Sequence, residues 1–211
     1  MNLAEILRLA PVIPVLTIAE VKDAVPLARA LVKGGLPVIE VTLRTGAGLQ
    51  AIRAIADEMP EAVVGAGTVL TEAQFDKAVA AGAQFAVSPG ATGHLLDAVS
   101  GRDVQLLPGI ATASEAMALI ERGYEFAKLF PAEAAGGAAL LSALAGPLPQ
   151  VKFCPTGGVT LENAHKYLKL PNVVCVGGSW MVSRATIEAG DWDAIAMAAS
   201  AAAALHVHRT P

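Results

Sequence analysis

The segment Val38-Ile-Glu-Val-Thr-Leu-Arg44 has the pattern of a β-strand in which apolar and polar side chains alternate. Successive side chains of a strand point to opposite faces, so the apolar residues Ile39, Val41 and Leu43 share one face. The polar residues share the other face, and they are Glu40, Thr42 and Arg44. A stretch of helical character rich in Ala, Leu and Glu follows, which makes this segment the first half of a strand-helix unit.

The same unit recurs along the chain, and no linker or low-complexity stretch interrupts the series. Short β-branched runs begin 20 to 26 residues apart and end in Gly, Pro, Ser or Thr. The eight runs are Val12–Ile18, Val38–Arg44, Val63–Val69, Phe85–Pro89, Gln105–Ile110, Phe126–Pro131, Lys152–Gly157 and Val173–Ser179. Strands that alternate regularly with helices predict parallel βα units.

Eight βα units in about 200 residues match the lower size limit of the (β/α)8 barrel. We therefore predict an α/β protein with a single TIM-barrel domain over residues 1–211. A short N-terminal helix is expected within residues 1–10, and a C-terminal helix and tail over residues 191–211. An open doubly wound sheet is the alternative, but it should carry a G-x-G-x-x-G motif after an early strand, and none is present.

Hydroxyl residues at the expected helix starts support this phasing. Thr71, Thr112 and Thr160 each precede a helical pattern, where a side-chain oxygen can accept a hydrogen bond from a free backbone N–H. Glu115 stands three residues after Thr112, at the spacing of a capping box. All three threonines are predicted to be helix N-caps.

Composition excludes several classes of protein. The 211 residues are 54% hydrophobic and 16% charged, with a net charge of −4, which is untypical of a disordered or nucleic-acid-binding chain. The sequence contains no run of about 18 uncharged apolar residues, which is the length that would suggest a membrane span. Two cysteines, Cys154 and Cys175, cannot form a disulfide framework in a chain of this length. We expect a cytoplasmic protein with reduced thiols.

A glutamate on the inner face of a barrel strand needs an explanation, because an isolated buried carboxylate is costly. Glu40 is such a residue, and it could simply pair with an internal Arg or Lys. The run Phe126–Pro131 offers the partner, since Lys128 lies in phase with Phe126 and Phe130. Of the seven lysines, only Lys128 and Lys152 fall in predicted strands, and Lys152 opens its strand. Burial favours the neutral amine, which is the form that attacks a carbonyl group.

Glycines follow the last two predicted strands. In (β/α)8 barrels, the loops after strands seven and eight often bind phosphate through backbone N–H groups. Gly157-Gly158 and Gly177-Gly178-Ser179 stand at these two places. No cluster of His, Asp and Glu has the spacing of a metal site. The residues therefore indicate metal-free imine chemistry on a phosphorylated carbonyl compound.

The sequence resembles the 2-dehydro-3-deoxy-6-phosphogluconate (KDPG) aldolases, which are class I enzymes of the Entner–Doudoroff pathway. The resemblance extends from about Pro11 to Asp193. Six segments carry it: Glu40-Val-Thr-Leu-Arg-Thr45, Val64-Gly-Ala-Gly-Thr-Val69, Phe85-Ala-Val-Ser-Pro-Gly90, Lys128-Leu-Phe-Pro-Ala-Glu133, Phe153-Cys-Pro-Thr-Gly-Gly158 and Gly177-Gly-Ser-Trp180.

The resemblance implies a role for each of these motifs. Lys128 would form a Schiff base with the 2-keto acid, and Glu40 would be the general acid and base. The residues expected to bind the substrate are Arg44 and Thr68 at the carboxylate, Thr156 near the aldehyde carbon, where it influences stereoselectivity, and Pro89 and Phe130. The residues expected to bind the phosphate are Gly157, Gly158, Gly178 and Ser179.

The resemblance also implies pyruvate and glyceraldehyde 3-phosphate as products, without a metal or other cofactor. A slower side activity on 4-hydroxy-2-oxoglutarate and a homotrimeric assembly are expected, with no nucleic-acid or membrane partner. Two alternatives remain from the residues alone. One is a phosphosugar isomerase or synthase in which Lys128 acts only through its charge. The other is a non-catalytic phosphosugar-binding barrel in which Glu40 and Lys128 form a structural ion pair.

Overall fold

Strands and helices alternate along the chain in the computed structural model, which describes residues 1–206. The strands are β1 Val12–Leu16, β2 Val38–Thr42, β3 Val63–Gly67, β4 Phe85–Val87, β5 Gln105–Leu107, β6 Gly109–Ile110, β7 Phe126–Leu129, β8 Lys152–Phe153 and β9 Val176–Gly178. The helices are α1 Leu3–Leu7, α2 Ala24–Lys33, α3 Gly48–Glu58, α4 Glu72–Ala80, α5 Gly93–Val99, α6 Ala113–Glu121, α7 Gly137–Leu144, α8 Ala164–Leu168, α9 Arg184–Glu188 and α10 Trp192–Ala203. The predicted tail beyond residue 206 lies outside the described residues.

The strand pairs are parallel and form two sheets. One curled sheet has the order β5-β4-β3-β2-β1-β9, and a second has the order β6-β7-β8. β5 and β6 are consecutive parts of one predicted strand that Pro108 divides, because proline has no N–H to donate to a ladder. The predicted α/β class with parallel βα units is confirmed. The two sheets do not by themselves make a closed eight-stranded barrel.

Two apolar layers lie on the two faces of the strands. Ile39 and Val41 of β2 pack into the larger layer, between the strands and the helices. Val38, on the opposite face, belongs to a smaller inner cluster with Phe85 and Phe126. The period of two along β2 therefore separates its faces as predicted, and Glu40 and Thr42 share the inner face with Val38.

Helix α1 closes the amino-terminal end of the inner face. Its apolar residues Leu3, Ile6 and Leu7 are buried in the inner cluster. The backbone N–H of Leu3 donates to Oε1 of Gln105, the first residue of β5, at 2.6 Å. The inner polar residues nearer the carboxyl ends of the strands therefore lie away from this plug.

The capping predictions have a mixed outcome. Thr71 and Thr112 are confirmed as N-caps, and Glu115 completes the capping box of α6. Thr160 is not an N-cap, because α8 begins only at Ala164. Asn163 accepts a hydrogen bond from the Thr160 N–H at 2.7 Å and donates one to the Gly158 carbonyl at 3.0 Å, which holds residues 160–163 in a turn.

Within residues 1–206, none of the helices combines the length and apolar character needed to cross a bilayer.

The two cysteines are predicted to be unreactive in the folded protein. Cys154 and Cys175 are buried in the inner cluster, and a hydrogen bond with Cys154, together with burial, raises the pKa of the Cys175 thiol. A raised pKa lowers the thiolate fraction that attacks a disulfide reagent. We expect Ellman's reagent to modify neither thiol in buffer at pH 8 and both in guanidinium chloride. Rapid modification of the native protein would contradict this arrangement.

Candidate active site

A buried ion pair joins two strands across the inner face. The Nζ atom of Lys128 on β7 lies 3.1 Å from Oε1 and 3.5 Å from Oε2 of Glu40 on β2. The two side chains are only 4% and 5% exposed. The Lys128 ammonium also faces the ring of Phe130 at 5.4 Å. The predicted partnership of Lys128 and Glu40 is thus present in the structure.

The pair can exchange a proton without help from solvent. Transfer from Nζ to Oε1 over 3.1 Å leaves a neutral amine beside a carboxylic acid. Such a pair supplies a nucleophile and a proton donor at one place, as imine chemistry requires. Lys152 does not share this environment, because its Nζ donates to the Pro171 carbonyl at 3.1 Å at the other end of its strand.

Gly67 makes the space that Glu40 occupies, a constraint not predicted from the sequence. A Cβ atom on Gly67 would lie 2.7 Å from Cγ and 2.8 Å from Cδ of Glu40. Contacts under 3.0 Å do not occur for real Cβ atoms, so a side chain here would displace the carboxylate. The sequence does show a glycine inside a predicted strand at this position, and such a glycine often marks the close approach of another group.

Arg44 and Thr68 meet at the carboxyl ends of β2 and β3. Arg44 Nε donates to Thr68 Oγ1 at 3.1 Å. Thr68 has a φ of 62°, a left-handed conformation that is uncommon for a residue other than glycine. The prediction that Arg44 belongs to the inner face of its strand is wrong, because β2 ends at Thr42 and Arg44 is exposed. Among residues 1–206, Arg44 makes no ion pair, so its guanidinium can meet an incoming anion.

Pro89 and its neighbour Ser88 follow β4 and lie against β6. A Cβ atom on Gly109 would come within 2.6 Å of the Ser88 carbonyl oxygen and closer still to Pro89. Gly109 is in turn the register partner of Lys128. Pro89 is therefore next to the strand that borders the lysine, and it is half-buried.

The glycine-rich segments after β8 and β9 lie side by side. A bridge pairs Thr156 with Gly177, and a Cβ on Gly177 would approach Thr156 Cγ2 to 3.0 Å. Gly157 and Gly158 have φ values of 99° and 78°, which other residues rarely adopt. Within residues 1–206, their two N–H groups donate to no backbone acceptor.

Gly178 and Ser179 complete this side of the site. The ring of Trp180 covers Gly178, where a Cβ atom would come within 2.9 Å of the ring. Trp180 itself packs against the larger apolar layer. Ser179 follows β9 directly and is exposed.

The predicted site residues therefore all stand at or near the carboxyl ends of strands. Direct contacts join Lys128 with Glu40, and Arg44 with Thr68. A separate cleft of about 530 Å³ lies at the opposite end, lined by Asn2, Gln105, Arg122 and Phe126 among others, and contains none of the predicted residues. Among the residues that the structure describes, no group of three or more His, Cys, Asp or Glu side chains could hold a metal ion.

The class of protein follows from the fold, this site and a comparison with known families. A parallel α/β fold carries a lysine and a glutamate that are buried together on the inner face of its strands. The family model described as KDPG and KHG aldolase matches residues 3–198. The protein is an aldolase, and therefore a carbon–carbon lyase.

The chain belongs to the KDPG and KHG aldolase family. It is 53% identical to 2-dehydro-3-deoxy-phosphogluconate aldolase of Pseudoalteromonas atlantica, over 92% of this chain and 90% of the relative. It is also 53% identical to KHG/KDPG aldolase of Escherichia coli, over 90% and 89% of the two chains. The family predicted from the six sequence motifs is confirmed.

A solved relative shows a covalent intermediate. KDPG aldolase from Legionella pneumophila, with pyruvate captured at low pH as a covalent carbinolamine, is 46% identical to this chain. Its structure superimposes with a TM-score of 0.94, covering 97% of this chain and 99% of that one. A carbinolamine is the adduct of an amine with a carbonyl group, and it precedes a Schiff base.

Replacing Gly67 by alanine should impair catalysis more than folding. The added methyl group displaces the Glu40 carboxylate, which is expected to be the general acid and base, and misplacing a catalytic group by about 1 Å can cost roughly 100-fold in rate. We expect kcat of Gly67→Ala to fall about 100-fold in a coupled assay for pyruvate.

Gly146→Ala is the matched control, because none of the described residues 1–206 lies within 4 Å of a Cβ atom at that position. Its kcat should stay within twofold of the parent enzyme. Equal activity of both variants would show that Glu40 does not need the space beside Gly67.

Proposed function

We propose that Lys128 forms a Schiff base with 2-dehydro-3-deoxy-6-phosphogluconate and that Glu40 moves the protons of its cleavage to pyruvate and glyceraldehyde 3-phosphate. The observation that carries this assignment is the buried contact of 3.1 Å between Lys128 Nζ and Glu40 Oε1. The 2-dehydro-3-deoxy-phosphogluconate aldolases at about 50% identity support the substrate.

Imine formation uses the proton that the pair shares. Glu40 takes a proton from the Lys128 ammonium, and the free amine attacks C2 of the keto acid. The carbonyl oxygen receives that proton as the C–N bond forms, which gives a carbinolamine. Nitrogen loses its own proton to Glu40, which returns it to the departing hydroxyl, and water leaves. The resulting iminium carries a positive charge next to C3.

Cleavage follows from this positive charge. The Glu40 carboxylate removes the proton of the C4 hydroxyl, the C3–C4 bond breaks, and its electron pair moves to the iminium nitrogen. The aldehyde product forms at C4, and an enamine of pyruvate stays on Lys128. Glu40 then protonates C3, and hydrolysis of the imine releases pyruvate. The iminium itself is the electron sink, so the scheme requires no metal or organic cofactor.

The two ends of the substrate carry different anionic groups, a carboxylate and a phosphate, and each needs its own binding site. Arg44 and Thr68 bind the carboxylate next to the imine, with the guanidinium supplying charge-assisted hydrogen bonds. Thr156 lies near the aldehyde carbon and influences which face is attacked. Phe130 and Pro89 border the reacting carbons. Support comes from the contact of Arg44 with Thr68 and from the burial of Thr156.

The phosphate binds to the glycine segments after β8 and β9. Gly157 and Gly158 offer N–H groups that have no backbone acceptor within residues 1–206, and Gly178 and Ser179 lie on the adjacent strand end. A substrate without phosphate gains nothing from these donors. Cleavage of 4-hydroxy-2-oxoglutarate is therefore a slower side activity, which agrees with the double name KHG/KDPG aldolase of the Escherichia coli relative.

The two sheets belong to one closed (β/α)8 barrel that forms a single domain. Pro108 alone separates β5 from β6, which connects the sheets along the chain. Bridges from Phe153 to Val173 and from Thr156 to Gly177 connect them at the other side. The buried, unpaired thiols of Cys154 and Cys175 agree with a reducing compartment, so we place the enzyme in the cytoplasm.

Trapping the imine tests the assignment of Lys128. After incubation with pyruvate and sodium borohydride, intact mass should show one reduced pyruvate adduct per chain, and peptide mapping should place it on Lys128. Lys128→Arg keeps a cation beside Glu40 but cannot form an imine, so it should be folded, unlabelled and inactive.

Lys152→Arg is the control that should be labelled as fully as the parent. An adduct on Lys152, or none on a folded parent protein, would contradict the proposed chemistry. The second outcome would favour an isomerase or a binding protein with the same fold.

We propose that the protein assembles as a homotrimer, which the resemblance to the KDPG aldolases implies. Sedimentation equilibrium should then give a mass about three times the 21.5 kDa of one chain at micromolar concentration. A monomer mass at the concentrations used for kinetics would contradict this assembly.

A further inference from the structure

Two backbone hydrogen bonds fix the direction of the glycine peptides after β8. The N–H of Ala132 donates to the Thr156 carbonyl at 2.8 Å, and the N–H of Glu133 donates to the Gly157 carbonyl at 3.0 Å. In a trans peptide the N–H points away from the preceding carbonyl. The N–H groups of Gly157 and Gly158 therefore point away from the loop after β7, where an anion can reach them.

The side chain of Glu133 packs directly against this turn. A Cβ atom on Gly158 would lie 2.6 Å from Cγ and 2.7 Å from Cβ of Glu133. Glycine alone fits here, because its φ of 78° and the nearby Glu133 both exclude a larger residue. The position of the Glu133 side chain and the conformation of Gly158 consequently depend on each other.

The carboxylate of Glu133 is held by Tyr167 of α8. The buried phenol donates its O–H to Glu133 Oε1. Burial, followed by the contact with Glu133, raises the pKa of the Tyr167 phenol above its ordinary value, so the phenol remains a hydrogen-bond donor at neutral pH. The hydroxyl also lies 3.2 Å from where a Cβ atom of Gly137 would stand, so it touches both ends of the loop after β7.

Asn163 holds the glycine turn from its other end. Its Nδ2 donates to the Gly158 carbonyl at 3.0 Å, and its Oδ1 accepts from the Thr160 N–H at 2.7 Å. The turn is thus fixed by Asn163 beyond Gly158 and by Glu133 beside it. Of these two side chains, only Glu133 ties the turn to the strand that carries Lys128.

We propose that the Tyr167–Glu133 pair positions Gly157 and Gly158 for the substrate phosphate, and so sets the preference for phosphorylated over unphosphorylated substrates. The inference rests on the proposed phosphate site. Neither side chain is a catalytic residue, since both act through the backbone of the glycine turn. Loss of the hydrogen bond lets Glu133 and the turn move, while Lys128 and Glu40 stay in place.

Kinetics on two substrates test this proposal. Tyr167→Phe should raise KM for 2-dehydro-3-deoxy-6-phosphogluconate about tenfold, as expected for a lost hydrogen bond to a charged group. Its kcat should stay within twofold, and kcat/KM for 4-hydroxy-2-oxoglutarate should be unchanged. Tyr124→Phe changes the other tyrosine of the chain, which lies at the opposite end of the fold, and should match the parent enzyme on both substrates.

Variants of Glu133 give an independent measurement that does not depend on the stability of Tyr167→Phe. Glu133 is exposed, so Glu133→Ala should fold and should show the same tenfold rise in KM. Glu133→Gln keeps an acceptor for the phenol, so its KM should stay within twofold of the parent value. The double variant Tyr167→Phe/Glu133→Ala should be no worse than either single variant, because both changes break one interaction.

Three outcomes would overturn the proposal: an unchanged KM in Glu133→Ala, an equal loss on both substrates, or additive effects in the double variant. Failure of the proposed function would look different. The parent enzyme would then show no borohydride adduct on Lys128, or no preference for the phosphorylated substrate, before any variant is compared.

Discussion

The ion pair between Lys128 and Glu40 is the interaction on which the site depends. Two opposite charges with side chains about 5% exposed have lost their water, and each has the other as its main compensation. Removing one partner of such a pair typically costs about 3–5 kcal/mol, because the remaining charge is left buried and unpaired. The pair therefore links the stability of the inner face to its chemistry, and each nearby residue has to leave it intact.

The surroundings of the pair show how this requirement is met. Gly67 has no side chain, and this leaves the space that the Glu40 carboxylate occupies beside β3. Val38 and Phe126 share the inner face with the pair, and the thiols of Cys154 and Cys175 fill the same cluster. This apolar layer excludes water from below, so a proton that leaves Lys128 has Glu40 as its nearest acceptor. Recognition of the substrate's anionic groups can then be left to the loops.

Much of the fold and part of the site follow from sequence because they depend on local rules. The period of two in β2 predicts that Glu40 points inward, and the same reasoning places Lys128 on its strand. The period of two does not extend to Arg44, because β2 ends at Thr42 and the following residues form a loop. The capping rule fails for Thr160, because its N–H donates to Asn163 Oδ1 in a turn and α8 begins only at Ala164. Contacts between distant segments, such as Gly67 with Glu40 or Tyr167 with Glu133, have no local signal beyond an unexplained glycine or a buried polar group.

Within the described residues 1–206, helix α1 closes one end of the inner face and leaves the carboxyl ends of the strands as the way to Lys128 and Glu40. Leu3, Ile6 and Leu7 seal the amino-terminal end of the inner face, so substrate and both products pass through the opening at the carboxyl ends of the strands. In the proposed reaction, the pyruvate half is bonded to the buried Lys128, and the aldehyde half lies between Lys128 and that opening. Departure is therefore ordered by geometry: the aldehyde leaves first, and pyruvate can follow only through the space it vacates. In the direction of synthesis, the same order requires pyruvate to bind before the aldehyde.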